Sequence, residues 1–243
     1  MIRLSERLEK IAGFISLGDK VADIGTDHGY IPIYLKQNGI SSYIIAGDIN
    51  KGPLEKMEEN LDKHIPDHKD REGIIMRLGS GLDVIEKGEV DTVVIAGMGG
   101  LLMEDILSAD WEKTRSVKRF ILQPRNAQDK LRKWLLENGF SIVDEILARE
   151  SRFVWEILCV EHCESMDAKS KYFGTEDEQY EVGQHLIKKP DPLIREFISN
   201  KIGIERKISE NAGRSDSADA VLQKKTAEDK IRMLEGIISN VNR

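Results

Sequence analysis

Apolar residues recur at steps of three and four from the start of the chain. Leu4, Leu8, Ile11, Ala12 and Ile15 predict an amphipathic helix over residues 2–16. From residue 20 the period changes. Lys20–Ile24, Tyr43–Asp48, Gly73–Leu78, Asp91–Ala96 and Val117–Leu122 read as short strands, and helical stretches follow most of them. Val93–Ala96 and Phe120–Leu122 are apolar on both faces, as in a parallel sheet covered by helices. The alternation predicts a doubly wound α/β domain. Ser141–Leu147 and Phe153–Val160 are separated only by Ala148–Arg152, too little for a crossover helix, and predict an antiparallel hairpin at the sheet edge. After about residue 163 the β-pattern stops. Leu193, Phe197, Ile204 and Ile208 mark one helical seam, and Ala227, Ile231, Leu234, Ile238 and Val241 mark another. Between them, residues 212–219 read as a helix stop and restart, with Gly213 as C-cap and Ser215 or Ser217 as N-cap. Two such stripes predict an antiparallel helical hairpin. The expected organisation is an α/β domain over 1–162 and a helical domain over 163–243.

Charge narrows the partners. The 243 residues carry a net charge of −7, nearly all of it in the first domain. A protein that met nucleic acid through its overall charge would be basic, so any such contact must use local patches. The two cysteines, Cys159 and Cys163, lack the further ligands of a zinc site and read as reduced thiols of a cytosolic protein. The N-terminus has no long apolar run of a signal peptide, and no uncharged run approaches the roughly 20 residues of a membrane span. His64 and His68 flank a proline and lack a third ligand, which points to a surface loop; no metal and no membrane are expected.

The candidate chemistry gathers where the predicted strands end. The first is followed by Gly25-x-Asp27-x-Gly29, not the GxGxxG of a dinucleotide fold. An aspartate in that loop would repel a pyrophosphate, which weakens a dehydrogenase reading. It suits a ligand with cationic groups, and S-adenosylmethionine, with a sulfonium and an ammonium, fits. Asp23 and Asp27 are candidate partners for its methionine end; Asp27 could instead cap the next helix. Asp48 ends the second strand, placed to accept both hydroxyls of a ribose. Arg77–Asp83, with two glycines, follows the third strand, where an adenine ring is commonly held. Ile95–Gly100 follows the fourth, and Leu122–Asn126 brings Gln123, Arg125 and Asn126 to the same edge.

RLSERLEKIAGFI, VADIGTDHGYIPIYL, DINKGPLEK, RLGSGLD, VVIAGMGG and ILQPRNAQDKLRKWLLENGF, in that order, resemble the bacterial tRNA adenine-22 N1-methyltransferases, the TrmK family. The resemblance runs from the N-terminus to about Val160. It implies a Rossmann-like class I methyltransferase domain, with a seven-stranded, mostly parallel sheet ending in an antiparallel hairpin, and a coiled-coil-like helical C-terminal domain. It implies S-adenosylmethionine as cofactor and N1 of an adenine in the D-arm corner of tRNA as acceptor. The cofactor residues would then be Asp23, Gly25, Asp27, His28 and Gly29; Asp48 and Ile49; Ser80, Gly81 and Leu82; and Ala96, Gly97, Met98 and Gly99. The chain departs from the family pattern at Ser80, Arg125 and Trp155.

N1 of a neutral adenine already has a lone pair, so the reaction needs placement more than a base. Asp27, stabilising the cation that forms, and Gln123, positioning the ring, are the expected catalytic residues. Gly100, Pro124, Arg125 and Asn126 would border the substrate. Three basic sets could meet RNA: Arg3 with Arg7; Arg125 with Lys130, Arg132 and Lys133; and Lys113 with Arg115, Lys118 and Arg119. The set on the helix after Asn126 is preferred, because it adjoins the catalytic edge. A monomer is weakly favoured. Two other readings stay open: a class I methyltransferase acting on a small molecule or protein, and a non-catalytic RNA-binding protein.

Overall fold

The computed structural model describes residues 1–163, 180–189, 191–215 and 217–241. The chain divides into two units, 1–173 and 174–243. The boundary expected at 162/163 abuts residues 164–179, which lie outside the described residues.

Seven strands make one sheet in the order β3-β2-β1-β4-β5-β7-β6. They are β1 (Val21–Ile24), β2 (Ile44–Asp48), β3 (Ile74–Leu78), β4 (Thr92–Met98), β5 (Arg119–Pro124), β6 (Phe140–Glu150) and β7 (Phe153–His162). The first five are parallel. β7 lies antiparallel between β5 and β6, so the expected hairpin closes the sheet. Helices α1 (Glu6–Ala12), α2 (Tyr30–Gln37), α3 (Lys51–His64), α4 (Gly100–Ser108), α5 (Trp111–Ser116) and α6 (Gln128–Glu137) complete the unit.

Each sheet face buries its own core, as strands apolar on both sides require. Ala22, Ile24, Val93, Ile95, Phe120 and Leu122 face α4 and α6, where Met103, Leu107, Leu131 and Leu135 are buried. Val21, Val94 and Ile121 face the opposite way, onto Ile11, Ile31 and Leu35 of α1 and α2.

The N-terminal helix is shorter than its apolar period suggests. Ser5 is its N-cap, with extended backbone and a side chain that accepts from the Leu8 amide, and Gly13 closes it. Ile2 lies outside the helix but is buried, and its amide donates to Gln37 Oε1 at 2.7 Å. The strand expected over Val117–Leu122 starts two residues later, because α5 runs to Ser116. Sequence periodicity misses α5; its signal is Asp110, whose side chain accepts from the Glu112 and Lys113 amides.

The second unit holds α7 (Gln184–Lys188), α8 (Ile194–Ala212) and α9 (Ala218–Asn240), and α8 and α9 pack on each other. Gly213 and Ser217 are the caps expected of them. One seam shifts: α8 buries Ile194, Phe197, Ile198 and Ile202, whereas Ile204 is exposed. Two residues are about 200° of helical turn, so Ile202 and Ile204 cannot share a face. Inside this unit Glu181 is buried and receives both Lys201 and Lys230.

Candidate active site

The parallel strands end along one edge, where a crevice is expected in such sheets. A cavity of about 810 Å³ opens there. β2 contributes Asp48 and Ile49, β1 contributes Asp23 with Gly25 and Asp27 beyond it, β4 contributes Ala96, Gly97 and Met98, and β5 contributes Gln123 with Arg125. The N-terminal segment adds Arg3, Ser5 and Arg7, and the edge hairpin adds Glu150 and Trp155. Strand order therefore separates the charges. Asp23, Asp27 and Asp48 stand on the β2–β1 side, and Arg7 and Arg125 stand on the β5–α1 side, with Glu150 paired to Arg7.

On the acidic side Asp23 is 6% exposed. Burial pushes its carboxyl up to about 6; the Thr26 side chain opposes this, and the charge of Asp48 adds to it. Asp48 accepts the Asn50 amide on Oδ1 at 2.7 Å. Gly25 has φ +74, and a Cβ there would lie 2.1 Å from Met98 Cε. Gly97 has φ +76 at the point where the β4–β5 register slips, and a Cβ there would project into open space. Asp27 does not cap α2: the N-cap is Gly29, without a side-chain bond. Asp27 is exposed instead, with Oδ1 3.2 Å from His28 Nε2, and the His28 ring stacks on Tyr30 at 5.4 Å.

On the basic side a chain of contacts crosses the cavity wall. Arg7 Nη1 donates to Gln123 Oε1 at 3.0 Å, and Arg7 Nε donates to Glu150 Oε2 at 2.8 Å. Ser5 Oγ donates to Glu150 Oε1 at 2.5 Å. Gln123 is buried and donates through Nε2 to the Pro124 carbonyl. Arg7 thus orients Gln123 and is itself paired with Glu150 at the cavity wall. Arg3 and Arg125 are exposed at the cavity.

Several expected site residues have a packing or pairing role in the fold. Arg132 is fully buried and is held by Glu145 (2.7 Å) and by Glu156. It cannot reach a phosphate, because the basic helix turns this side chain inward. Leu82 is 3% exposed and belongs to the core. Gly29 packs on α3, where a Cβ would lie 2.3 Å from Met57 Cγ. A Cβ on Gly100 would lie 2.6 Å from the Ala127 carbonyl oxygen, so this glycine packs α4 against the loop after β5. Ser80, Gly81, Gly99, Pro124 and Asn126 lie next to the cavity in sequence but do not line it, and neither do exposed Lys130 and half-buried Lys133. In the third basic set, Lys118 and Arg119 pair with Asp91 (2.5 Å) and Glu161 (2.7 Å).

Residues 4–158 match the family model of a methyltransferase domain. Over 242 residues the chain is 32% identical to the Bacillus subtilis tRNA (adenine(22)-N(1))-methyltransferase, covering 98% of each. The chain belongs to the TrmK family. The crystal structure of B. subtilis TrmK superposes with a TM-score of 0.84 at 31% identity, covering 98% of this chain and all of that one. A Streptococcus pneumoniae protein, described as a candidate tRNA (m1A22) methyltransferase and solved with S-adenosyl-L-methionine, gives 0.78 at 32%, covering 97% and 100%. Sequence reasoning missed Ser5, Leu8, Tyr30, Ile31, Asn50, Glu150 and Trp155 in this cavity. The signal for the last two was available: an antiparallel final strand must start at the edge where the parallel ones end.

Proposed function

We infer that this protein transfers a methyl group from S-adenosylmethionine to N1 of adenine 22 in tRNA, in the cytoplasm. The observation that carries the reading is the charge distribution of the cavity, with Asp23, Asp27 and Asp48 at one end and exposed Arg125 beside the neutralised Arg7–Glu150 pair at the other. A cationic cofactor and an anionic polymer can approach from opposite sides.

The acidic end fits the cofactor. Asp23 and Asp27 would face its ammonium and sulfonium, and Asp48 would receive the ribose hydroxyls. Ile49, 64% exposed, would cover the face of its adenine ring. Gly25 and Gly97 have no side chain to obstruct the approach. When bound, S-adenosylmethionine supplies an electrophilic methyl group on a positively charged sulfur.

The chain's own residues then have limited work to do. The acceptor N1 attacks with its own lone pair, so no residue must remove a proton first. Gln123, held by Arg7 and the Pro124 carbonyl, would orient the acceptor ring. Asp27 would stabilise the positive charge that the ring acquires. Correct placement of the two reactants can contribute roughly 7–11 kcal/mol. A base-paired adenine has N1 occupied and must be exposed first, at a cost of a few kcal/mol. Arg3 and Arg125 would meet the backbone around the exposed base.

The test is transfer of labelled methyl to unmodified tRNA, followed by nucleoside analysis. The expected product is 1-methyladenosine at position 22. Cofactor binding without labelled tRNA would overturn the substrate assignment and return attention to metabolites and proteins.

A further inference from the structure

The start of β7 brings to the cavity a feature that the charge division does not explain. β7 runs antiparallel to β5, with Leu122 opposite Leu158 and Arg119 opposite Glu161. Its first residues therefore emerge where β5 ends, beside Gln123 and Arg125. Trp155 lines the cavity there. Strand alternation puts Phe153 on the same face. The two rings lie 5.4 Å apart at 40°. The Arg152 guanidinium stands 5.0 Å from the Phe153 centroid. Phe153 is 47% exposed. The neighbouring Glu156 points the other way, into the buried pair with Arg132, and this anchors the orientation of the strand and of Trp155. The other two tryptophans, Trp111 and Trp134, are half-buried away from this cavity, where they stack on each other at 5.7 Å and pack on Phe140.

A half-buried ring in the wall of the active-site cavity, with an exposed ring and a guanidinium next to it on the same strand face, matches the chemistry that holds unpaired nucleobases. Such bases stack on aromatic rings and on arginine planes. We propose that Trp155 is the stacking platform for the acceptor adenine, and that Phe153 with Arg152 extends it to an adjacent unpaired base of the same RNA. The proposal rests on the tRNA reading above. Trp155 acts as a positioning residue: its ring fixes the plane of the base while Gln123 contacts its polar edge.

The test compares the wild-type protein with W155F, W155A and F153A. Without the ring that stacks on the base, W155A is expected to show a kcat/KM for tRNA lower by about tenfold or more. W155F should keep most of the activity, and F153A should lose a smaller factor. S-adenosylmethionine affinity by calorimetry should be unchanged in all three. Tryptophan emission should be quenched when unmodified tRNA is added to the wild type, and that quenching should be absent in W155F, which removes only the cavity tryptophan. Wild-type kcat/KM in W155A overturns the proposal. So does undiminished quenching in W155F, or loss of cofactor affinity in step with activity, the result expected of a structural or cofactor-side residue. If the wild type methylates no tRNA but a single-stranded oligoadenylate quenches Trp155, the platform stands and the tRNA reading falls.

Discussion

Asp23 ends β1 as a nearly buried carboxylate whose pKa burial raises to about 6. The sign of the consequence follows from proton linkage. A carboxyl that binds its proton more tightly in the folded state destabilises the fold as pH rises from the unfolded value near 3.8 through 6. Above that window the cost is about 3 kcal/mol. Asp23→Asn should therefore stabilise the ligand-free protein at pH 7.5 by about 1–2 kcal/mol, the amide's own burial offsetting the rest. Near pH 4 it should have little effect; urea melts at the two pH values check this. In the wild type, cofactor affinity by calorimetry should fall below pH 6, because Asp23 must lose its proton to face a cation. Asp27 is exposed and free of any capping role, so its removal isolates chemistry from folding. Asp27→Ala should reduce methyl transfer at least tenfold without changing the melting temperature. Full turnover with unchanged cofactor affinity would remove Asp27 from the site.

At the scale of elements, two contacts tie the reactive edge to the scaffold. The first is the buried Arg132 of α6 with Glu145 of β6 and Glu156 of β7. Arg132→Ala leaves two carboxylates buried without their cation, and should cost about 3–5 kcal/mol in urea unfolding. The second is the close approach of α4 to the loop after β5. Gly100→Ala would press a methyl against backbone oxygens at 2.6 and 2.9 Å. Overpacking of that kind costs about 1–3 kcal/mol. Because the displaced loop carries Arg125, methyl transfer should fall more than stability does, which parallel kinetics and thermal melts would reveal.

Taken whole, the molecule is acidic yet presents exposed Arg3 and Arg125 in the wall of its cavity. Removing a cation that faces an RNA phosphate should flatten the dependence of log K on log salt by about 0.7–0.9. The double replacement of Arg3 and Arg125 by alanine should flatten the tRNA-binding slope by more than one. Replacing Lys118 should leave it unchanged, because that cation already faces Asp91. An unchanged slope in the Arg3/Arg125 variant would move the RNA to another surface.

Local chemistry is legible in a linear chain. The period of apolar residues, the glycines at strand ends and the acids beside them specified the strand–helix alternation, the closing hairpin and the acidic half of the cavity, because each depends on residues a few positions apart. Direction in space is not legible in that way. Arg132 reads as one cation in a basic helix until two glutamates, 13 and 24 residues away, are seen to enclose it. Arg7 reads as one more cation of the first helix until Gln123 and Glu150, 116 and 143 residues away, are seen to bond it. Trp155 reads as a strand residue until the antiparallel turn of β7 delivers it to the reactive edge. Which face a side chain presents depends on what packs behind it, and those partners meet only when the sheet closes.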